Sequence, residues 1–482
     1  MDFLQRIAKR HTYGITPQKH INTNMLTVEK IGGTSMTAMK EVIDNIIYYK
    51  RKETGLYNRV FVVSAFAGVT DMLLENKRTG IPGVYHRIKK HQDFHGLLNN
   101  LLKSLKEINR RYVPLGLDLE AANNFIDRHI DEGEKYLANL ANILASGYVS
   151  RESILQAARE ILASIGESHS AFNLSKVLTN KGISCKLIDL GGFGDHRALS
   201  IDQRIKHAFK GIDFENNICI VTGYVKGTEG IMREFDRGYS EITFSKIAEI
   251  LLPKEAIIHK EYHLSTADPV LVGKENCSPV CYTSYDIAGQ LADVGMEAIH
   301  PRAAKPLESK DIPLRIKNTF DPAHPGTLIT SGYVCPYKRV EVITGTDKIL
   351  MLDIYDPSMV GNVGSDLEIM QLLVKYNISY TFKVTSANSI SIVIWEKHYS
   401  KRLVGELRQK FSLVTIEKVA MVCLLGSNID QPGLLSKCSA TLAEKGINIK
   451  SAGIALRKVN IQFLIDRQHF ATAIIALNHT MD

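Results

Sequence analysis

A strand, a double-glycine turn, a helix and a second strand follow one another near the start of the chain. Residues 26–31 form a short strand-like run, residues 59–65 form a second, nearly continuous apolar run, and residues 39–50 between them have helical character. Runs of this kind are typical of strands that are buried on both faces of a parallel sheet. Because strand, helix and strand in that order define a βαβ unit, the sequence predicts an α/β fold with a mainly parallel sheet sandwiched by helices.

The rest of the first 330 residues extends this pattern. Residues 80–162 have mostly helical periodicity and predict a helical insertion. Further strand-like runs occur at 184–190, 218–222, 256–259 and 313–316. The organisation that we expect is an N-terminal extension at 1–24, a large α/β domain at 25–330 and a linker at 331–338.

Two shorter units follow the linker, at 339–415 and 416–482. Each has the pattern strand, helix, strand, strand, and 377–379 in the first unit occupies the same place after the helix as 446–448 in the second. An internal repeat of roughly 70 residues is too small for two independent enzymes. It is typical of paired regulatory modules with a ferredoxin-like fold.

Composition limits the class of protein. Lys and Arg total 59 against 51 for Asp and Glu, which gives a net charge of +8, and the chain is 45% hydrophobic and 23% charged, as globular proteins are. No run approaches the roughly 18 apolar residues of a membrane span, and the first residues lack the apolar region of a signal peptide. The seven cysteines are scattered and odd in number, which argues against a disulfide framework. We expect a cytoplasmic protein with no membrane partner.

Two features are candidates for a nucleic-acid patch and a metal site. The basic residues between 77 and 111 share a helical pattern with leucines, and no stacking aromatics or groove-reading motif accompany them, which favours a solvated helix face. Cys277 and Cys281 are the only close pair of cysteines, whereas a zinc site needs a second pair at ligand spacing. The sequence therefore predicts neither a nucleic-acid partner nor a metal site.

The turn after the first strand has the composition of an anion site. Gly32 and Gly33 let the backbone present its N–H groups, and the helix that follows brings its positive end to the same place. Lys30 would point toward a phosphate, and Thr34 and Ser35 could cap the helix. The alternative is a plain turn that needs glycine, and the turn alone does not decide between the two. No P-loop motif occurs, and no dinucleotide-binding motif follows a strand.

The second strand ends in a run of small and hydroxyl residues from Ser64 to Thr70. Together with the run from Lys30 to Ser35, it resembles aspartokinase of the amino-acid-kinase superfamily. Later motifs are similar to those of the same family, and the two C-terminal units resemble its ACT modules, so that the resemblance covers nearly everything from Leu26 onward. The matching motifs are Gly166-Glu167-Ser168-His169-Ser170-Ala171, Thr222-Gly223-Tyr224, Asp236-Arg237-Gly238-Tyr239-Ser240-Glu241, His300-Pro301-Arg302-Ala303, Asn318-Thr319-Phe320-Asp321-Pro322 and Pro325-Gly326-Thr327-Leu328-Ile329.

The chain departs from the family pattern mainly on the nucleotide side. Glu261 stands in place of the family's usual Asp, Ser265 in place of a Tyr, Val270 in place of an Arg, and Glu297 in place of a Lys. Glu241 likewise replaces an Asp. The branch of the family that is associated with ectoine synthesis is similar at these places, which favours a divergent active kinase.

The resemblance implies a reaction: transfer of the γ-phosphoryl group of MgATP to the side-chain carboxylate of L-aspartate, giving 4-phospho-L-aspartate. It also implies a homodimer or larger homo-oligomer through the ACT-like modules, and Mg²⁺ that comes mainly with the nucleotide. His259 and His263, with Glu261 between them, fit a nucleotide-side loop better than a metal site.

The resemblance assigns each candidate residue a role. Lys30 and Glu241 are the catalytic pair. The residues implied to bind ATP are Lys30, Gly32, Gly33, Ser35, Lys260, Glu261 and Asp268. The residues implied to bind the substrate are Ser64, Thr70, Glu167, Arg237 and Ser240, with Arg237 on the α-carboxylate and Glu167 on the α-ammonium group.

Two alternatives remain open on the sequence alone. One is a regulatory amino-acid-binding protein with impaired nucleotide binding, which the residues at 265, 270 and 297 motivate. The other is a kinase of the same superfamily that acts on acetylglutamate, glutamate or UMP. The resemblance also implies that lysine-sensitive relatives carry an Asp just after an Ile-Ser-Val-like strand start in the first ACT module. The corresponding run here is Ile378-Ser379-Tyr380-Thr381, which has no carboxylate, so we expect no lysine inhibition.

Overall fold

The computed structural model describes residues 25–51, 55–76, 79–235, 238–296, 298–454, 457 and 459–481. The predicted extension at 1–24 lies outside the described residues. An eight-stranded sheet with the order β3-β4-β2-β1-β5-β7-β8-β6 forms the first half of the molecule, and it is parallel except for the antiparallel pair β7 and β8. Its strands are β1 (Thr27–Ile31), β2 (Arg59–Val63), β3 (Cys185–Ile188), β4 (Ile218–Thr222), β5 (Glu255–Lys260), β6 (Tyr282–Ser284), β7 (Leu314–Asn318) and β8 (Thr327–Thr330).

The central strands are buried on both faces, as their apolar sequences predict. Every residue of β2 and β4 is buried, and so are four of the five in β1. The covering helices and helical turns are α1 (Gly33–Thr37), α2 (Met39–Glu41, which leads into the π-helical Val42–Tyr48), α3 (Val69–Leu73), α4 (Val84–Lys89), α5 (His95–Tyr112), α6 (Leu119–Ser146), α7 (Arg151–Asn180), α8 (Ile201–Ala208), α9 (Ile231–Glu234), α10 (Tyr239–Leu251), α11 (Pro269–Val272), α12 (Tyr285–Asp293) and α13 (Pro301–Ser309).

The helical insertion consists of α4 to α7. Helix α5 buries Leu98, Leu101 and Leu105, while Lys103 and Arg110 on the same helix are exposed, as expected for a solvated basic face. Helix α7 is 30 residues long and continues beyond the predicted end of the insertion at 162. Its second half therefore reaches the sheet, and this half carries Glu167.

A second, antiparallel sheet has the order β10-β11-β9-β12-β14-β13. The two predicted units share two long strands: residues 342–346 of β9 pair with 421–425 of β12, and 349–355 of β9 pair with 413–419. The predicted boundary between 415 and 416 thus falls inside β12. Each unit also has a second helix that the sequence did not predict, at Lys401–Lys410 in the first unit and at Phe470–Met481 in the second. The elements are β9 (Val342–Tyr355), α14 (Ser365–Lys375), β10 (Tyr380–Thr385), β11 (Ser389–Trp395), α15 (Lys401–Lys410), β12 (Leu413–Leu425), α16 (Leu434–Glu444), β13 (Ile449–Ile454), β14 (Asn460–Asp466) and α17 (Phe470–Met481).

The second sheet packs directly against the loop that follows β5. The N–H of Ile343 in β9 donates a hydrogen bond of 2.8 Å to the carbonyl of Thr266, and Ala267 and Val272 belong to the same apolar cluster as Ile343. The C-terminal units are therefore in contact with the predicted nucleotide side of the α/β domain. No helix in the described part of the chain is long and apolar enough to cross a membrane.

Candidate active site

The loops after β1, β2 and β5 meet at the carboxyl edge of the parallel sheet. The N–H of Gly32 donates to the carbonyl of His259 at 3.3 Å, and the N–H of Ser64 donates to the carbonyl of Ile31 at 3.1 Å. A β-carbon on Gly33 would lie only 2.6 Å from the carbonyl oxygen of Ala65. Glycine is required at position 33 because the two loops approach so closely.

A buried ion pair lies directly behind this turn. Lys30 occupies the end of β1, and its Nζ is 3.2 Å from Oε1 of Glu241 in α10. The other oxygen, Oε2, accepts a hydrogen bond of 2.8 Å from the backbone N–H of His300. Burial raises the pKa of Glu241, but the charges of Lys30 and Lys260 and the His300 hydrogen bond together hold it below its usual value. This favours the carboxylate form of Glu241, and the structure brings together the two predicted catalytic residues.

Glu167 is a buried carboxylate with spare hydrogen-bonding capacity. It accepts a hydrogen bond from the N–H of Ala65, while its Oε2 has no hydrogen-bond partner among the described residues. Burial raises the pKa of Glu167 well above its usual value, although the charge of Lys30 opposes this. A β-carbon on Gly223 would lie 2.9 Å from that free oxygen. An unsatisfied buried carboxylate is costly, and an ammonium group from a ligand would offset that cost.

The predicted hydroxyl residues lie around the same point. Ser64, just after β2, and Ser240, in the first turn of α10, have their hydroxyl oxygens 3.1 Å apart. Thr70 in α3 hydrogen-bonds to the phenol of Tyr239, whose pKa is raised by burial and by the charge of Glu167. Four of the five predicted substrate residues are thus brought together. The fifth, Arg237, lies outside the described residues.

Ser35 has a different local role from the one expected. Gly32 is the N-terminal capping residue of α1, and no side chain caps the helix, so the prediction that Thr34 or Ser35 caps it is wrong. The Ser35 hydroxyl is buried and lies 2.8 Å from that of Thr319, which follows β7. The buried hydroxyl finds its partner across the sheet instead of at the helix end, because β7 lies next to β5 beside the turn.

The predicted nucleotide side is more open. Lys260 ends β5, and its carbonyl accepts a hydrogen bond of 2.8 Å from the N–H of Thr319. Glu261 is exposed, and Asp268 caps α11 by accepting a hydrogen bond of 2.8 Å from the N–H of Val270, which is itself 89% exposed. Glu297 lies outside the described residues. The departures at 261 and 270 therefore face solvent.

His259 lies inside the sheet, so the prediction that it belongs to the nucleotide-side loop is wrong. It is buried in β5 with Nε2 at 2.8 Å from Oε2 of Glu29, and Glu29 also accepts hydrogen bonds of 2.6 and 3.0 Å from Arg59. Burial alone would raise the pKa of Glu29, yet Arg59 and His259 hold it well below its usual value. No cluster of His, Cys, Asp and Glu within the described ranges could hold a metal ion.

Sequence reasoning missed Thr319, Tyr239 and the Glu29 network. Thr319 joins the glycine turn to the end of β5, and it lies in the motif 318–322 that resembles the family. Tyr239 lies in the motif 236–241, and its contact with Thr70 arises only in the assembled fold. Glu29 and Arg59 are charged residues in strands that are otherwise apolar, and such residues are buried only when they are paired.

Comparisons with known proteins agree with this architecture. Residues 25–318 match the model of the amino acid kinase family. The aspartate kinase Ask_Ect of Stutzerimonas stutzeri (strain A1501) is 40% identical over 466 residues, which span 95% of this chain and 97% of the relative. The crystal structure of Clostridium acetobutylicum aspartate kinase has a TM-score of 0.71 at 20% identity, with 95% of this chain and 100% of that chain covered. E. coli aspartokinase III, solved in complex with aspartate and ADP, has a TM-score of 0.70 at 19% identity, with 95% and 99% covered. These structures share the fold, and the fold class expected from the sequence is confirmed.

Proposed function

The chain belongs to the amino acid kinase family, and from this premise we propose that it is an aspartate kinase, which phosphorylates the side-chain carboxylate of L-aspartate with ATP. The observation that carries the proposal is the position of Glu167. Its unpartnered oxygen lies near the hydroxyls of Ser64 and Ser240, and its pKa responds to the charge of Lys30. The pocket that would hold the α-ammonium group of the substrate, at Glu167, thus lies near the buried ammonium of Lys30 at the glycine turn.

The reaction needs positioning rather than a general base. The aspartate side chain has an unperturbed pKa of about 3.9 and is already an anion near neutral pH. One of its oxygens forms the new bond to the γ-phosphorus, and the bond from that phosphorus to the β,γ-bridging oxygen breaks, with ADP as the leaving group. Lys30 and the backbone at Gly33 neutralise the transferring group, while Glu241 holds Lys30 in position. Gly32, whose N–H donates to the carbonyl of His259, lets the backbone approach the nucleotide.

Aspartate is recognised through both of its fixed charges. Glu167 takes the α-ammonium group, and Arg237, whose guanidinium can pair with a carboxylate through two hydrogen bonds, takes the α-carboxylate. Ser64, Thr70 and Ser240 orient the molecule through their hydroxyls. The close approach of Gly223 to Glu167 and Ser240 keeps this pocket free of a further side chain.

The nucleotide occupies the part of the sheet's carboxyl edge where β5 and β7 lie next to each other. Lys260 lies close enough to lower the pKa of Glu241, so its charge reaches the same centre as that of Lys30. Mg²⁺ would come mainly with the nucleotide, because it tends to keep water and phosphate oxygens as ligands. When bound, Mg²⁺ neutralises phosphate charge. We assign Glu261 and Asp268, which are both exposed, to contacts with the outer part of the nucleotide.

The C-terminal sheet joins two protomers in this proposal. Its edge strands β10 and β13 expose Tyr380 (45%) and Ile454 (53%), and pairing with a second copy would cover such edges. We place the enzyme in the cytoplasm, in keeping with its seven free cysteines. The similarity to an ectoine-associated relative suggests that its product feeds the same kind of pathway.

The test is a coupled assay of ADP release with L-aspartate as acceptor. ADP formation that depends on both ATP and aspartate supports the proposal. L-Glutamate and N-acetyl-L-glutamate serve as matched acceptors, and faster turnover with either would assign the chain to a sibling activity. Saturable aspartate binding without ADP formation at any ATP concentration would favour the regulatory alternative.

A further inference from the structure

The only tryptophan of the chain lies where the C-terminal sheet touches the α/β domain. Trp395 is the last residue of β11, and it is half-buried. A β-carbon on Gly295 would lie 3.2 Å from Cη2, the far end of the indole ring. Gly295 follows α12 with a φ of +86°, a backbone conformation that favours glycine. The ring of Trp395 therefore packs directly on the backbone just after α12.

This contact belongs to an apolar cluster that both parts of the molecule share. Trp395 and Met296 pack against the cluster as partly buried side chains. The α/β domain contributes Ile287, Leu291, Val294 and Ala298, and the C-terminal sheet contributes Ile349, Val393, Val419 and Met421, among others. Because protein cores are close-packed, the loss of one large side chain leaves space into which its neighbours can shift.

The segment that leaves α12 leads from this cluster to the catalytic ion pair. Ala298 belongs to the shared cluster, and Ile299 belongs to the core of the α/β domain. The N–H of the next residue, His300, donates to Oε2 of Glu241 at 2.8 Å, and its carbonyl accepts a hydrogen bond of 3.0 Å from Ala304 in α13. The backbone at His300 is thus fixed on one side by α13 and on the other by a segment that packs against the C-terminal sheet.

We propose that Trp395 is a positioning residue for the catalytic ion pair, a role that rests on the proposed function. Its ring keeps the segment after α12 in place, His300 in turn holds Glu241, and Glu241 holds Lys30. Without the ring the segment gains freedom, and Lys30 is directed less consistently at the transferring phosphoryl group. A displacement of about 1 Å can cost on the order of 10²-fold in rate, even when the altered residue lies far from the chemistry.

The aspartate pocket is held by other contacts. Glu167 accepts a hydrogen bond from the N–H of Ala65, and the hydroxyls of Ser64 and Ser240 contact each other. A loss that passes through the ion pair should therefore lower kcat and leave the KM for aspartate little changed.

Trp395→Leu is the test variant, because leucine keeps an apolar side chain at the end of β11 but is too short to reach Gly295. Steady-state kinetics on the full chain should show a kcat that is lowered about tenfold or more. Asn478→Ala is the matched control. It removes another contact between the C-terminal units and the α/β domain, the 2.8 Å hydrogen bond to the carbonyl of Asn276, and should keep the basal kcat.

A double-mutant cycle with Glu241→Ala shows whether the effect of Trp395 passes through the ion pair. In the Glu241→Ala background, Trp395→Leu should lower kcat no further, because the effects of residues that act as one unit do not add. A general loosening of the fold would instead lower kcat by the same factor in both backgrounds.

The emission of Trp395 gives a readout that does not require activity, since no other tryptophan contributes to it. Glu241→Ala removes the acceptor of the His300 N–H, so the segment should loosen and acrylamide should quench Trp395 more strongly. Glu249→Ala, half-buried on the same helix α10, is the control and should leave the quenching unchanged.

Three results would overturn the proposal: an unchanged kcat in Trp395→Leu, the same fold loss of kcat in both backgrounds, or unchanged quenching of Trp395 in Glu241→Ala. Trp395→Phe, whose shorter ring also loses the contact with Gly295, provides the same kinetic comparisons if Trp395→Leu does not fold. A chain that forms no ADP with aspartate would refute the proposed function, while the quenching comparison would still decide whether Trp395 and Glu241 are coupled.

Discussion

The ammonium of Lys30 lies 3.2 Å from Oε1 of Glu241, although the two residues are 211 positions apart in the chain. Both side chains are about nine-tenths buried, with 10% and 11% exposed. The second oxygen of Glu241 is fixed by the N–H of His300, so the carboxylate cannot turn away from the ammonium. The cation is thus held in position before any ligand binds, which is the condition for strong electrostatic stabilisation of a transferring phosphoryl group.

Lys30→Ala should lower kcat on the order of 10²–10³-fold while the protein stays folded, because the fixed cation of the site is lost. The measurement is the initial rate of ADP release, with circular dichroism to confirm folding. Lys40→Ala is the matched control, since Lys40 is exposed and pairs with Asp44 on the surface. Near-normal turnover by Lys30→Ala would remove Lys30 from the mechanism.

Arg237→Lys should raise the KM for aspartate more than the KM for ATP. The substitution keeps the positive charge but loses the planar fork that pairs with a carboxylate through two hydrogen bonds. Steady-state kinetics with each substrate varied in turn provide the comparison. Equal changes in both KM values, or no change, would count against a clamp on the α-carboxylate.

Glu167→Gln should weaken aspartate binding about tenfold to a hundredfold, since a hydrogen bond between charged groups is replaced by a weaker one. It should also alter the dependence of stability on pH. The folded-state pKa of Glu167 is raised, so its contribution to the free energy of unfolding is fully present below about pH 4.3 and is lost as the pH rises through the raised value.

The Gln variant does not ionise, and it should therefore gain melting temperature relative to the unmodified chain as the pH rises from 5 to 9. Glu152→Gln, exposed on the same helix, is the control and should show neither effect. A melting-temperature difference between Glu167→Gln and the unmodified chain that stays constant with pH would contradict the assignment.

Arg59→Met should destabilise the fold by about 3–5 kcal/mol, because it leaves the buried carboxylate of Glu29 without its main partner. Arg59 also donates to the carbonyls of Ile46 and Ile47 at the end of the π-helical turn. Chemical denaturation measures the change in the free energy of unfolding. Lys40→Met, which breaks an exposed pair, should cost no more than about 1 kcal/mol, and a similar small cost for Arg59→Met would refute the structural role of the network.

The elements that the sequence predicts well are those with a local signal. The buried strands β2 and β4 are mostly apolar, β1 is a short strand-like run, and the bounds of all three agree with the predicted ones to within about two residues. The glycine turn with Lys30 was identified because glycine and a strand-end cation form a local motif. Short strands such as β6, with three residues, have no such signal and were missed.

Contacts between distant residues were not predictable from local pattern. The partner of Ser35 is Thr319, 284 positions away, and the helix-start pattern alone favoured a cap. The partner of His259 is Glu29, and only the pairing of β1 with β5 brings them together. The sharing of β9 and β12 between the C-terminal units likewise depends on strand register, which follows from the assembled sheet.

Lysine should not inhibit this enzyme through the first C-terminal unit. The strand position where the resemblance implies an Asp in lysine-sensitive relatives is Thr381 in β10, and its hydroxyl donates to the carbonyl of Val393 at 3.5 Å. Lys383 lies two residues further on, and its ammonium is 2.5 Å from Oδ2 of Asp366 at the start of α14. A lysine ligand would meet a like charge there, and the carboxylate beside it is already paired.

An effector changes the rate only if it binds one conformational state of the enzyme more tightly than another. Lysine that cannot bind at this unit has no such preference, so it should leave the rate unchanged. The measurement is the initial rate at subsaturating aspartate against millimolar L-lysine and, separately, L-threonine. A flat response to lysine is expected, whereas a response to threonine is compatible with a neutral effector at this unit. Strong saturable inhibition by lysine that is lost in Asp366→Asn would show that Asp366 leaves Lys383 to bind the effector, and the prediction would be wrong.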